Sequence, residues 1–162
     1  ENMASYGITT TAVINAHYGN FDAMKAASRQ LKEQGITLLS YSWAGMEEEV
    51  KRRQTTAVAY PGYMHADEVE TSLMLAFQPD CVDMGAAQDF RSTAEAAAIP
   101  PTGPVSYGWI SADLNPAGTV GEAHLASAAK GLATATHQVA GLIALLRQVR
   151  DAAIPQAESG WR

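Results

Sequence analysis

Residues 63 to 75 read YMHADEVETSLML, which sets His65 before three acidic residues, Asp67, Glu68 and Glu70, and then runs into an apolar stretch. Imidazoles exchange protons near neutral pH, and a positioned imidazole or carboxylate does general acid–base work. The same pair of groups suits a divalent ion, the carboxylate supplying hard oxygen and the imidazole nitrogen. At helical spacing His65 and Glu68 share a face while Glu70 points elsewhere. A second reading needs no chemistry, because acidic residues in a first helical turn complement the helix dipole. Asp67 fits that reading best. For the other three, both readings stay open on local grounds.

NAHYGN, residues 15–20, holds the other polar cluster. It follows a strand-like run, and ligands of open α/β sheets bind beyond the carboxyl ends of strands. That places Asn15, His17 and Asn20 well. The alternative is that Asn15 and Asn20 shape the turn and His17 is incidental. His124 and His137 lack the three- or four-residue spacing of paired helical ligands, and we read both as structural. Cys81 reads as a small buried apolar residue, with no neighbour to stabilise a thiolate. The sequence has no G-x-S-x-G, no glycine-rich phosphate loop and no C-x-x-C pair.

The elements that position these residues follow from the hydrophobic pattern. ENMASYG reads as a helix end, with Gly7 as its left-handed terminal residue. ITTTAVINAH is β-branched and apolar on both faces, the pattern of a covered strand. Phe21, Met24, Ala27 and Leu31 form one face of a helix that Asn20 caps and Gly35 ends. ITLLSYSW predicts a second buried strand and GMEEEVKRRQ a second helix. The motif helix runs from about Ala66 to Phe77, with Pro79 stopping it. DCVDM could form a short strand, Gly85 to Pro104 reads as a long loop, VSYGWI as a strand, and Glu122 to Ala152 as one long helix. This alternation implies a parallel-sheet α/β fold. Residues 1–153 read as a single domain and 154–162 as a tail. A parallel α/β chain that opens on a helix end predicts that a further segment completes the sheet.

Composition excludes several classes. The formal net charge of −6 argues against a nucleic-acid partner, which requires a Lys/Arg surface. The sequence has no apolar run near the ~20 residues that span a bilayer and no secretion-signal pattern. One cysteine permits no internal disulfide and fits a reducing compartment. A cytoplasmic globular protein is the expectation.

Together three stretches resemble the creatininase (creatinine amidohydrolase) family. NAHYGN is similar to that family's N-G-H-x-x-N turn. HADEVETSLMLAFQPDCVDM resembles its H-A-G-E-x-E-T-S-x-M-L-A-x-x-P-D-x-V segment, the most specific match. GWISADLNPAGTVGEAHLASAAKG is similar to a later family stretch. Order and spacing agree from about Gly7 to Arg150.

The resemblance implies a creatininase-type α/β sandwich. It also implies a hydrolase of amide or other C–N bonds with a two-metal centre, Zn or Mn, with Fe a third option. By position His17 matches a metal ligand and His65 the residue that transfers a proton to the scissile nitrogen. Trp43, one position off a family tryptophan, is assigned with Tyr18 and Asn15 to the substrate pocket. Creatininase itself carries a metal-binding glutamate where this chain has Gly19. Relatives with glycine there have a glutamate at the place of Glu68, which we therefore assign as the replacing ligand. Glu70 matches a glutamate shared by both kinds of member and is assigned to outer-shell or proton-transfer work.

The family's first metal-binding element, G-S-x-E-Q-H-G followed by a bridging aspartate, has no counterpart in these 162 residues. Each ion needs about three protein ligands, so the expectation is a site completed by another chain. That partner would be an N-terminal creatininase-like chain, split or cleaved, in a hetero-oligomeric ring. The substrate would be a small-molecule or peptide amide. The competing expectation is a non-catalytic structural or regulatory subunit that pairs with an intact homologue.

Overall fold

The computed structural model describes residues 3–41, 65–90, 108 and 110–152. The chain divides into two compact units, Glu1–Gly45 with Gln138–Arg162, and Met46–His137.

The first unit opens with a 3-10 turn, Ala4–Tyr6, closed by Gly7 at φ 81° as its sequence demands. Strand β1, Thr10–Ile14, pairs in parallel with β2, Thr37–Tyr41, in the register Thr10↔Thr37 through Ile14↔Tyr41. Between them runs helix α1, Phe21–Glu33. The strand–helix–strand order is the one read from the sequence. Helix α1 packs against β2, where Ser28 Oγ donates to the Leu38 carbonyl at 3.2 Å. Gly35, at φ 75°, follows the helix.

The opposite sheet face carries Ala12 and Ile14 of β1 and Leu39 and Tyr41 of β2. With Leu142 and Leu146 these residues line an apolar groove of about 220 Å³. The Tyr41 hydroxyl donates to the Gln138 carbonyl at 3.1 Å. The sequence predicts β1 to be covered on both faces, yet Ile14 is 64% exposed. The groove side is therefore only partly covered among the described residues.

In the second unit helix α2, Glu68–Phe77, begins two residues later than its sequence suggests and ends before Pro79. DCVDM is not a strand: Pro79–Cys81 forms a 3-10 turn, because Pro79 fixes φ and lacks the N–H a ladder needs. Cys81 is exposed on that turn rather than buried. The expected loop from Gly85 contains a short strand, β3, Asp89–Phe90. Helix α3, Ser111–Leu114, is a single turn whose Asp113 Oδ2 accepts from the Ile110 N–H at 2.8 Å. Strand β4, Gly121–Glu122, pairs antiparallel with β3.

The long final helix, α4, spans Ala128–Asp151 rather than starting at Glu122. Gly121 at φ 138° holds the preceding backbone extended. Ser127 then starts the helix, its Oγ accepting from the Lys130 N–H at 3.3 Å, the bond of an N-cap. The expected helix over GMEEEVKRRQ lies outside the described residues, as does most of the expected strand VSYGWI. Among the described residues no helix is long and apolar enough to cross a membrane.

Candidate functional site

His65 is fixed through its backbone. It forms an antiparallel bridge with Val120, the Val120 N–H donating to the His65 carbonyl at 2.7 Å. Ala66, at φ 50°, then turns the chain through the left-handed region, a conformation that costs a non-glycine residue about 1 kcal/mol or more. The turn converts a bridge residue into the entry of a helix within three positions.

Asp67 caps that helix. It is buried, and its Oδ1 accepts from the N–H groups of Val69 and Glu70 at 2.9 and 3.1 Å. The sequence reads Asp67 as a first-turn acid on the helix dipole; it stands one step earlier, as the N-cap, and Glu68 and Glu70 are the first-turn acids. Glu70 reaches back so that its Oε2 accepts from the Ala66 N–H at 2.6 Å. The two carboxylates act together much as a capping box does, and they hold the residue that follows His65. Gly121 lies against this cap, where a Cβ would come within 2.5 Å of Asp67 Cβ.

Glu68 faces the interior and is 1% exposed. Its carboxylate takes an ion pair from Lys130 on α4. Nothing local in sequence announces Lys130, because it lies 62 positions away. Glu122, on β4, is a third buried carboxylate of this unit, after Asp67 and Glu68, and its place inside the GWISADLNPAGTVGEAHLASAAKG stretch was the available signal.

In the first unit, Asn15 is buried just past β1. Its Oδ1 accepts from the His17 N–H at 3.3 Å and from Asn20 Nδ2 at 3.1 Å. Asn20 precedes α1 but makes no side-chain cap bond; its amide serves the turn instead. Tyr18 lies in the 3-10 turn Tyr18–Asn20. The His17 imidazole folds over Gly19, where a Cβ would stand 2.7 Å from Nε2. A side chain at position 19 would therefore have to displace this imidazole, so a glycine suits the ring's placement. Trp43 lies outside the described residues.

The structure thus gathers His65, Asp67, Glu68 and Glu70 at one bridge-to-helix junction, and Asn15, His17 and Asn20 at one strand-end turn. These donors are the imidazoles and carboxylates that zinc and manganese take. Among the described residues no three His, Cys, Asp or Glu side chains form a group that could hold an ion.

The fold is that of a creatininase-type α/β protein. Residues 1–146 match the family described as creatininase, creatinine amidohydrolase, and the chain belongs to that family. A solved creatinine amidohydrolase (creatininase) is 26% identical, with a TM-score of 0.68 over 94% of this chain and 60% of its own. A manganese creatininase is 24% identical, with a TM-score of 0.69 over 93% of this chain and 60% of its own. A zinc–zinc form of a creatininase mutant is 25% identical, with a TM-score of 0.67 over 93% of this chain and 60% of its own. The chain therefore spans about 60% of the length of these relatives. No curated protein sequence matches it.

Proposed function

We propose that this chain is a subunit of a metal-dependent hydrolase that cleaves an amide or related C–N bond. The observation that carries this reading is the His65–Glu70 junction, where a backbone bridge, a left-handed residue and a double carboxylate cap fix a histidine beside a helix mouth. Such preorganisation suits a group that must meet a reacting atom. Its place within the family match adds support.

In this reading His65 delivers a proton to the leaving nitrogen. Glu70, tied to the Ala66 N–H, holds His65 in register as an outer-shell residue. His17 and Glu68 are the metal ligands that this chain contributes. Zinc or manganese, when bound, would supply Lewis acidity at the scissile bond. The remaining ligands come from a partner chain with an E-x-H…D segment, in a hetero-oligomeric ring. The exposed apolar groove between the β1–β2 face and α4 supports a partner, since such surface favours association. Asn15, Tyr18 and Trp43 are placed in the substrate pocket, and the substrate class is a small cyclic amide, a formamide or a short peptide.

The test is co-expression with such a partner, followed by assay of the metal-loaded assembly against creatinine, formylated pyrimidines and short peptides. Hydrolysis of one class is expected. An assembly that holds metal and cleaves none of them would favour the non-catalytic subunit.

A further inference from the structure

Helix α4 carries more apolar surface than the sheet beneath it covers. Leu142, Leu145, Leu146 and Val149 recur at three- and four-residue spacing, so they share one face, and with β1 and β2 they line the groove. Val139, Ile143 and Leu146 form a second row beside the first, at the same spacing, and Leu146 belongs to both. That second row is 56%, 44% and 45% exposed. A surface helix ordinarily turns its apolar stripe to the core and shows solvent a polar face.

The sheet is open on the side where Leu146 stands. Among the groove residues Tyr41 is buried, whereas Ile14 and Leu146 are exposed. Among the described residues β1 pairs with β2 alone, so no further strand borders Ile14 there. The exposed row of α4 and the exposed end of β1 meet at Leu146 as two walls of one apolar seat, all of it within the first unit. Packed helices lie about 8–10 Å apart, and a helix laid beside α4 over β1 would cover both walls.

Charge decides which helix fits. Arg147 and Arg150 follow Ile143 and Leu146 by one turn, at the C-terminal end of the exposed row. Asp151 is the one acid on this half of α4, and it pairs with Arg150 at 2.7 Å. Arg147 is exposed and makes no ion pair with another described residue. The seat therefore ends in cations, in a chain whose net charge is −6. The α4 of a second copy matches it poorly. Its first half holds Lys130 and no acid, so an antiparallel pairing brings the arginines no carboxylate, and a parallel one sets Arg147 against Arg147. A different helix lying antiparallel to α4 places its N-terminal turns by the arginines, and those turns are where carboxylates are favoured.

We propose that this seat takes an amphipathic helix of the partner chain, antiparallel to α4, with acidic residues in its first turns. The inference rests on the partner of the hydrolase reading above and on neither its metal nor its reaction. The test uses the 162-residue chain and two labelled peptides of about 18 residues, long enough to hold a helix. Both carry leucines at three- and four-residue spacing; one has glutamates in its first two turns, the other lysines at the same places. Fluorescence anisotropy reads binding, and light scattering reads the state of the chain. The glutamate peptide is expected to bind about fivefold more tightly, with a preference that shrinks as salt rises. Arg147→Glu should reverse that preference, and Ile143→Asp should remove the binding of both peptides. Equal binding of the two peptides, no binding, or a preference that survives Arg147→Glu overturns the inference. A chain that scatters as a dimer, and as a monomer in Ile143→Asp, gives the face to a second copy and overturns it as well. Metal and turnover enter none of these readouts, so such a failure leaves the hydrolase reading to stand or fall on the assay of the assembly.

Discussion

Gly131 and Ser72 stand backbone to backbone: a Cβ at position 131 would lie 1.9 Å from the Ser72 carbonyl oxygen and 2.8 Å from the Leu73 nitrogen. Both neighbours are main-chain atoms of α2, so no side chain can swing aside. Gly131→Ala should force the two helices apart and cost about 1–3 kcal/mol, the range for overpacking a tight contact. A shift of the denaturation midpoint at unchanged slope would register it. An unchanged midpoint would mean that the helices can separate freely here.

Asp67 offers a milder test of the same region. Losing a cap that accepts two N–H bonds should cost about 1 kcal/mol in Asp67→Ala. Asp67→Asn, which keeps an acceptor, should lose less. Neither change should alter metal content if Asp67 is only a cap. Metal loss in Asp67→Asn would move it into the site.

The apolar groove predicts opposite effects on solubility and assembly. Ile14, 64% exposed, lines it together with Leu146. Ile14→Lys or Leu146→Glu should make the isolated chain more soluble and weaken its association with a partner. Light scattering of the chain alone and size-exclusion of the mixture would show both effects. Unaltered assembly would place the partner on another surface.

The parts legible in the sequence were those whose signals are local. Strands β1 and β2 carried β-branched apolar runs, α1 an apolar stripe between Asn20 and Gly35, and Asp67, Glu68 and Glu70 the acidic mark of a helix start. Strands β3 and β4, two residues each, are too short to have a period and exist through pairing across the fold. The start of α4 was misplaced because Glu122 looks like a first-turn acid, whereas the left-handed Gly121 keeps that stretch extended. Ser127 was the available cap signal. The Glu68–Lys130 pair was illegible, since a contact over 62 positions leaves no trace in spacing.

His65 should matter to turnover more than to structure. If it hands a proton to the leaving nitrogen, His65→Ala lowers turnover about 10²–10⁴-fold while metal occupancy stays near that of the wild type. Its bridge to Val120 is made by backbone atoms, so the substitution leaves those bonds in place. Metal lost together with activity would reassign His65 as a ligand.

The account stands most directly on His17, the imidazole over Gly19 that we assign to the metal. The decisive measurement is the zinc and manganese content of the purified assembly by elemental analysis, wild type against His17→Ala. The account predicts a stoichiometric divalent metal in the wild type and its loss in the variant. Equal metal in both would contradict it.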